Sequence, residues 1–161
     1  LNTKRAVFPN PTQIRSDSTL MTSKRGFYEV KRHRAHFEDS VRIENPNFSL
    51  KTDSLDYDTQ TEIAYFLGPT TVNNPDKRVY CEDGYYDTKR NYAALYQNAQ
   101  FENYEAGKLE TARGDTILYD GEKDNYFLIG NAFYQNETQE VYADTIFIDN
   151  KKQAFLLYQM R

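Results

Sequence analysis

The stretch that decides the fold is residues 115–149, which read DTILYDGEKDNYFLIGNAFYQNETQEVYADTIFID. It opens and closes with the same acidic motif, Asp-Thr-Ile-x-x-Asp, and the second copy begins 29 residues after the first (115 to 144). Between the copies stand a turn, the phrase Leu-Ile-Gly-Asn-Ala and a second turn. Self-similarity at a fixed spacing of this length indicates a repeat protein.

The same unit recurs earlier in the chain. Asp53–Asp58 repeats the acidic motif, and Glu82–Asp87 is a weaker copy. The closing positions of the motif are spaced 29, 33 and 29 residues apart, at Asp58, Asp87, Asp120 and Asp149. The middle phrase keeps step with them, in copies that begin at Phe37, Phe66, Leu95 and Leu128. We therefore predict a single domain over 1–161, with regular repeats over 35–161 and an irregular or partial first repeat over 1–34.

Composition favours a folded all-β chain. Aromatic residues make up 15% of the 161 residues, with 14 Tyr and 10 Phe, and such residues are enriched in strands. No apolar run approaches the roughly 18 residues that a membrane-spanning helix needs. The first residues do not resemble a signal peptide, so a mature or trimmed chain is expected. The lone Cys81 excludes a disulfide framework and a cysteine metal site.

Charge is distributed unevenly along the chain. Residues 1–34 hold eight Lys or Arg and two acids, a balance of +6 (8 − 2), whereas the remainder holds 12 and 22, a balance of −10. The basic end has the charge to meet phosphates, although a solvated edge with charged gatekeepers is the simpler interpretation.

Alternation along the motif predicts which side chains face inward, because successive strand residues point to opposite faces. The alternate positions, such as Asp56 and Asp149, are mostly polar and are expected to face out. A change of parity before the motif predicts a corner or β-bulge. Each repeat is thus expected to supply three short strands, and no helix is predicted, even over 89–100. The inward-facing residues are Phe37, Val41, Leu55, Tyr57, Phe66, Tyr86, Leu95, Ile117, Tyr119, Leu128, Ile146 and Ile148.

Several phrases resemble the LptA/OstA family: Phe127–Phe133, Ala143–Ile146 and Lys152–Phe155. The resemblance is best over 110–156, fair over 35–109 and poor over 1–34. It implies an open, twisted β-jellyroll of stacked antiparallel strands. It also implies a periplasmic protein that carries lipopolysaccharide from the inner to the outer membrane. The partners implied are other Lpt-type proteins, joined end to end by strand pairing, and further copies of the chain.

The twelve inward-facing residues are the predicted lipid-binding groove, since each buried methylene of an acyl chain contributes ~0.8 kcal/mol. Plain core packing is the simpler interpretation of any one of them. Two other functions stay open. A cargo-free β-solenoid scaffold would have a closed core, and a polysaccharide-active β-helix enzyme would need acids clustered in one cleft.

No catalytic residue, cofactor, metal or nucleic-acid partner is predicted. The repeating acids Asp53, Asp115 and Asp144 lie one per repeat, whereas metal ligands must converge within one site. We expect these acids to accept hydrogen bonds from backbone amides at the corners. His33 and His36 lack a third ligand nearby in sequence and are expected at the surface.

Overall fold

The described part of the chain forms thirteen β-strands joined by short turns. In a computed structural model, the backbone is described over residues 4–151 and 154–158, and the side chains over residues 4–15 and 17–151. Within these ranges there is no α-helix, and one 3₁₀ turn spans Val30–Arg32. The strands are β1 (Arg5–Phe8), β2 (Thr12–Ser16), β3 (Thr19–Ser23), β4 (Arg25–Glu29), β5 (Arg34–Glu44), β6 (Ser49–Asp58), β7 (Ile63–Asn73), β8 (Lys77–Asp87), β9 (Tyr92–Glu105), β10 (Lys108–Asp120), β11 (Asn125–Gln135), β12 (Glu140–Asp149) and β13 (Ala154–Tyr158).

All of these strands belong to one antiparallel sheet. From β4 to β13 each strand pairs with the next in chain order, while β1 pairs with β4, and β3 joins both β2 and β5. The prediction of an open, all-β antiparallel architecture is confirmed. Most of the segment 89–100, whose composition is the most helical in the chain, lies in β9.

A β-bulge bends each of the odd-numbered strands from β5 to β11 near its middle. The pairing register of β5 with β6, for example, shifts between Glu38 and Val41. The bulges coincide with the middle phrase of the repeat. Residues of this phrase have positive φ at the bulge, and Gly and Asn tolerate positive φ best. These residues are Asp39, Ser40, Gly68, Gln97, Asn98, Gly130 and Asn131. The phrase Gly-Asn in the repeat thus marks the position of a β-bulge.

The predicted division of each repeat into three short strands is wrong. Each repeat from β5 to β12 is a hairpin of two strands, which are 10 to 14 residues long. A bulge bends a strand, but ladder pairing resumes on its far side, so the strand continues through the corner.

The bulges divide the sheet into two leaves. The first leaf contains the acidic motif, in segments 34–38, 54–58, 63–67, 83–87, 92–96, 116–120, 125–129 and 145–149. The second leaf contains segments 41–44, 49–52, 70–73, 77–80, 99–105, 108–113, 132–135 and 140–143. The ring of Phe101 in the second leaf stacks on that of Tyr126 in the first at 4.7 Å, although β9 and β11 are not sheet neighbours. The sheet therefore folds over along the line of bulges and encloses an interior.

Short polar side chains hold the turns at both ends of the hairpins. Each accepts hydrogen bonds from two backbone amides two and three residues further on, which is the Asx-turn arrangement. At the end of the first leaf these residues are Asp58, Asp87 and Asp120. At the end of the second leaf they are Asn45, Asn74 and Asn136.

The four short strands of residues 5–29 have the arrangement of one more hairpin that is broken at the bend. β3 lies along the second-leaf half of β5, and β4 lies along its first-leaf half. Between them, Lys24 N donates to the carbonyl of Asp39 at 3.1 Å. A single domain with a partial first repeat stays a prediction. Lys152 and Gln153, from the last phrase of the resemblance, lie outside the described residues.

Candidate functional site

One continuous row of side chains crosses the inner face of the first leaf. Backbone pairing places on this row Phe37, Leu55, Phe66, Gly84, Leu95, Ile117, Leu128 and Ile146, one from each strand from β5 to β12. Every member except Gly84 is a predicted groove residue, and all seven of these are buried. The repeat therefore places equivalent apolar side chains side by side across eight strands.

A second inner row runs parallel to the first, nearer the turns. Its members are Ala35, Tyr57, Ala64, Tyr86, Ala93, Tyr119, Tyr126 and Ile148. The predicted residues Tyr57, Tyr86 and Tyr119 are only half-buried, and Ile148 is buried. Burial raises the pKa of all three of these tyrosines. The row contains small alanines between tyrosines, which leaves room for the rings.

The last predicted residue, Val41, is fully buried at the bend, where the inner face of the second leaf begins. Beyond it a third row faces the first leaf. This row consists of Ile43, Leu50, Val72, Val79, Phe101, Ala112, Tyr134 and Val141. All twelve predicted residues thus lie on the interior side, but the prediction omitted this opposing surface. The alignment of the repeats does indicate this third row, because its positions are apolar in every copy.

The interior is closed by an aromatic latch, which we define as Phe101, Tyr119, Tyr126 and Lys77. Tyr126 stacks on Phe101 at 4.7 Å and on Tyr119 at 4.8 Å, while Lys77 Nζ donates to the hydroxyl of Tyr126 at 3.1 Å. Phe101 and Tyr126 are only 6% and 7% exposed. Burial, followed by the charges of two nearby acids, raises the pKa of Tyr126, so its hydroxyl stays protonated.

The acids of the repeat lie at the bend, against the bulges of neighbouring strands. Asp115 accepts a hydrogen bond from the side-chain amide of Asn131 at 3.1 Å, where a backbone amide was expected. A Cβ placed on Gly68 would lie 3.1 Å from a carboxylate oxygen of Asp53. Asp53 and Asp115 thus pack on the bulge glycines opposite them, Gly68 and Gly130. Among the described residues, no group of three or more His, Cys, Asp or Glu is placed to hold a metal ion.

His36 lies on the outer face of the first leaf, where it is half-buried. Its Nδ1 lies 2.5 Å from Asp56 Oδ1, its Nε2 lies 3.3 Å from Glu38 Oε2, and its ring stacks on Phe27 at 4.9 Å. Burial by itself would lower the pKa of His36, but the hydrogen bonds with the two carboxylates outweigh it and raise the pKa. His36 thus lies outside the interior, as predicted, but it is half-buried and paired rather than fully exposed at the surface.

The described part of the chain contains no helix with the length and apolar character needed to span a membrane.

An open antiparallel sheet folded over a continuous apolar interior defines the class of protein. The family model for OstA-like proteins matches residues 2–112, which is 111 of the 161 residues, and the chain belongs to this family. The match includes most of 1–34, where the resemblance in sequence was expected to be poor.

Among solved structures, the chain is similar to LptH from Pseudomonas aeruginosa, described as the LptA-homologous periplasmic component of the conserved lipopolysaccharide transport device. The TM-score is 0.64 at 19% sequence identity, over 70% of this chain and 82% of that one. At this identity the likeness establishes the fold. No curated protein matches the chain.

Proposed function

We propose that this chain is a periplasmic lipid carrier, which holds the acyl chains of lipopolysaccharide or a related lipid between its two leaves. The observation that carries the proposal is the uninterrupted apolar interior, in which three rows cross every strand from β5 to β12. Membership of the OstA-like family supports a transport role. LptH, a protein of the same fold, is a periplasmic component of a lipopolysaccharide transport device, which supports the compartment and the cargo class.

The rows explain how one site can hold a lipid and let it move. Apolar contact is non-directional, and each buried methylene contributes ~0.8 kcal/mol. Neighbouring strands lie about 4.8 Å apart, so an acyl chain shifted by one repeat of two strands, about 10 Å, meets an equivalent set of side chains. The barrier to sliding along the rows is then small compared with the total binding energy.

Cargo must open the latch to enter. Separating Tyr126 from Phe101 costs the stacking of one aromatic pair, about 0.5–1.5 kcal/mol beyond the buried area of the rings. Ten methylenes buried in their place contribute about 8 kcal/mol. An acyl chain therefore has ample free energy to part the leaves at this point.

The ends of the sheet suit assembly into a bridge. In the described structure β1 and β13 each pair with one neighbour, and open edges recruit further strands. The basic residues 1–34 of one copy also complement the acidic remainder of another. We expect the mass from light scattering to rise with concentration and the association to weaken in salt. A strict monomer at high concentration would contradict this part of the proposal.

Photo-crosslinking to purified lipopolysaccharide tests the cargo and the interior together. A photoreactive residue in place of Tyr119, a member of the latch, faces the interior, while one in place of Leu118 is the matched control on the outer face of the same strand. We expect crosslinks from position 119 alone. Equal crosslinking from both positions would indicate non-specific association and count against the site.

A cargo-free scaffold is the second candidate, and one observation favours it. Ile117, Leu128 and Ile146 are at most 1% exposed, so the interior is already packed by its own side chains. A folded protein that crosslinks from neither position would favour this function. The repeat acids lie one per repeat along the bend, where Asp115 and Asp144 line one groove that contains no other acid in its described lining, and we do not propose polysaccharide cleavage.

A further inference from the structure

The outer face of the first leaf carries an apolar row over β7 to β12, where an antiparallel sheet of this kind is normally polar. One outer row runs across successive strands through Tyr65, Tyr85, Ala94, Leu118, Phe127 and Phe147. Phe127 is 37% exposed, and its ring packs against that of Phe147 in a tilted arrangement with the centroids 4.6 Å apart. The interior does not use this row, so another role must account for it.

A groove of about 670 Å³ opens at one end of this row. It is lined by Ile63, Tyr65, Tyr85, Asp87, Arg90, Tyr92, Asp120 and Glu122, which we call the tyrosine groove. The rings of Tyr65 and Tyr85 lie 6.1 Å apart, and those of Tyr85 and Tyr92 lie 6.4 Å apart. Three strands thus present three tyrosine rings as one surface.

The charges around the tyrosine groove favour a cation. Its lining contains three carboxylates and the single guanidinium of Arg90, a balance of −2 (1 − 3). Aromatic faces attract ammonium and guanidinium groups within about 6 Å. This surface already holds one such contact, because the guanidinium carbon of Arg34 lies 4.8 Å from the centroid of Tyr65.

We propose that the tyrosine groove and the adjoining row dock an extended segment of a protein partner, with a lysine or arginine in the groove and apolar side chains along Leu118, Phe127 and Phe147. A small amine would fill the groove but leave the apolar row uncovered. A second copy packed face to face would oppose like carboxylates, and an anionic membrane would be repelled by them. The proposal is independent of lipid binding in the interior.

Defined peptides test the docking surface on the intact chain. The probes are an acetylated, amidated peptide in which one lysine is followed by leucines at every second position with serines between them, the counterpart with glutamate in place of the lysine, and acetyl-lysine amide. Binding is followed by NMR of the tyrosine rings. We expect the lysine peptide to shift Tyr65, Tyr85 and Tyr92, and to bind at least about tenfold more tightly than either other probe.

Matched variants locate the interaction. Tyr85→Leu keeps an apolar side chain but removes the ring, and Glu122→Lys reverses an exposed charge; each is expected to weaken the lysine peptide about fivefold. Glu137→Lys makes the same reversal in a turn at the far end of the second leaf and should change binding less than twofold.

Four outcomes would overturn the proposal. They are no peptide binding at millimolar concentration, equal binding of the glutamate peptide, acetyl-lysine amide binding as tightly as the peptide, and tyrosine shifts spread away from the groove. If vesicles of phosphatidylglycerol perturb the groove tyrosines and the peptide does not, the surface is a membrane contact instead. None of these results depends on whether lipopolysaccharide crosslinks to position 119.

Discussion

Leu128 and Ile129 are neighbours on β11 that point to opposite sides of the sheet. Leu128 is completely buried, whereas Ile129 is 37% exposed. Leu128→Ala removes three carbons, which is about 2.4 kcal/mol of transfer free energy at ~0.8 per methylene, and the cavity raises the loss to about 3–4 kcal/mol. Ile129→Ala removes as many carbons from a site open to solvent, where we expect a loss of only about 1 kcal/mol.

Urea unfolding followed by circular dichroism separates the two variants. For an m-value of about 2 kcal/mol/M, the midpoint should fall by roughly 1.5–2 M for Leu128→Ala and by roughly 0.5 M for Ile129→Ala. An unchanged m-value would show that both variants keep the fold. Equal losses, or a larger loss for Ile129→Ala, would refute the assignment of inner and outer faces, because a one-residue slip in register exchanges them.

Three further predictions concern the bend, a turn and the outer face. In thermal unfolding, Gly130→Ala should lower the stability by about 1–2 kcal/mol more than Gly107→Ala. Both glycines have φ near +77°, but only at Gly130 would a Cβ press on a carboxylate. Equal losses of stability would show that the positive φ alone causes the loss. The backbone amide of Thr61 lowers the folded-state pKa of Asp58, so its stabilisation is present above the unfolded pKa of ~3.9 and is lost as pH falls through the folded value. Wild type should therefore lose its advantage over Asp58→Asn in acid, and a difference constant with pH would contradict this. Because the folded-state pKa of His36 is raised, the stabilisation from this residue is complete below pH ~6.5 and is lost as pH rises through the folded-state pKa. In Asp56→Asn, the NMR titration of His36 should move to lower pH. An unmoved titration would exclude the Asp56 carboxylate as a cause of the raised pKa.

Much of the fold can be predicted from the sequence because the residues that specify turns and bulges recur in each repeat. The closing aspartates Asp58, Asp87 and Asp120 recur because each accepts the hydrogen bonds of a turn, and the middle phrase recurs because each copy must adopt positive φ at a bulge. The same alignment also predicts inner parity, because the inner positions change parity once in each even-numbered strand, as between Leu50 and Leu55, and keep it in each odd-numbered strand, as between Phe37 and Ile43. These signals are local, and local signals survive low identity between copies.

The features that the sequence did not predict depend on contacts between distant strands. Phe101 and Tyr126 meet only because the sheet folds over at the bulges, and no spacing along the chain encodes how sharply it folds. The outer row was expected to be mostly polar, because the acidic motif alternates with carboxylates such as Asp56. Its apolar members Leu118, Phe127 and Phe147 become one surface only when the register of β10 to β12 is known.

The bend, the turns and the interior are specified by different sets of residues, so the size of the interior can change without loss of the fold. Turns are specified by Asp and Asn side chains, and corners by residues that accept positive φ, so neither depends on the size of the interior residues. The separation of the leaves at the latch is instead set by the stack of Phe101 on Tyr126. Substitutions on the inner rows can therefore widen or narrow the interior while the backbone keeps its register. Under the proposed function, these two independent sets of constraints would let an apolar interior that is closed when empty open for acyl chains while the backbone keeps its register.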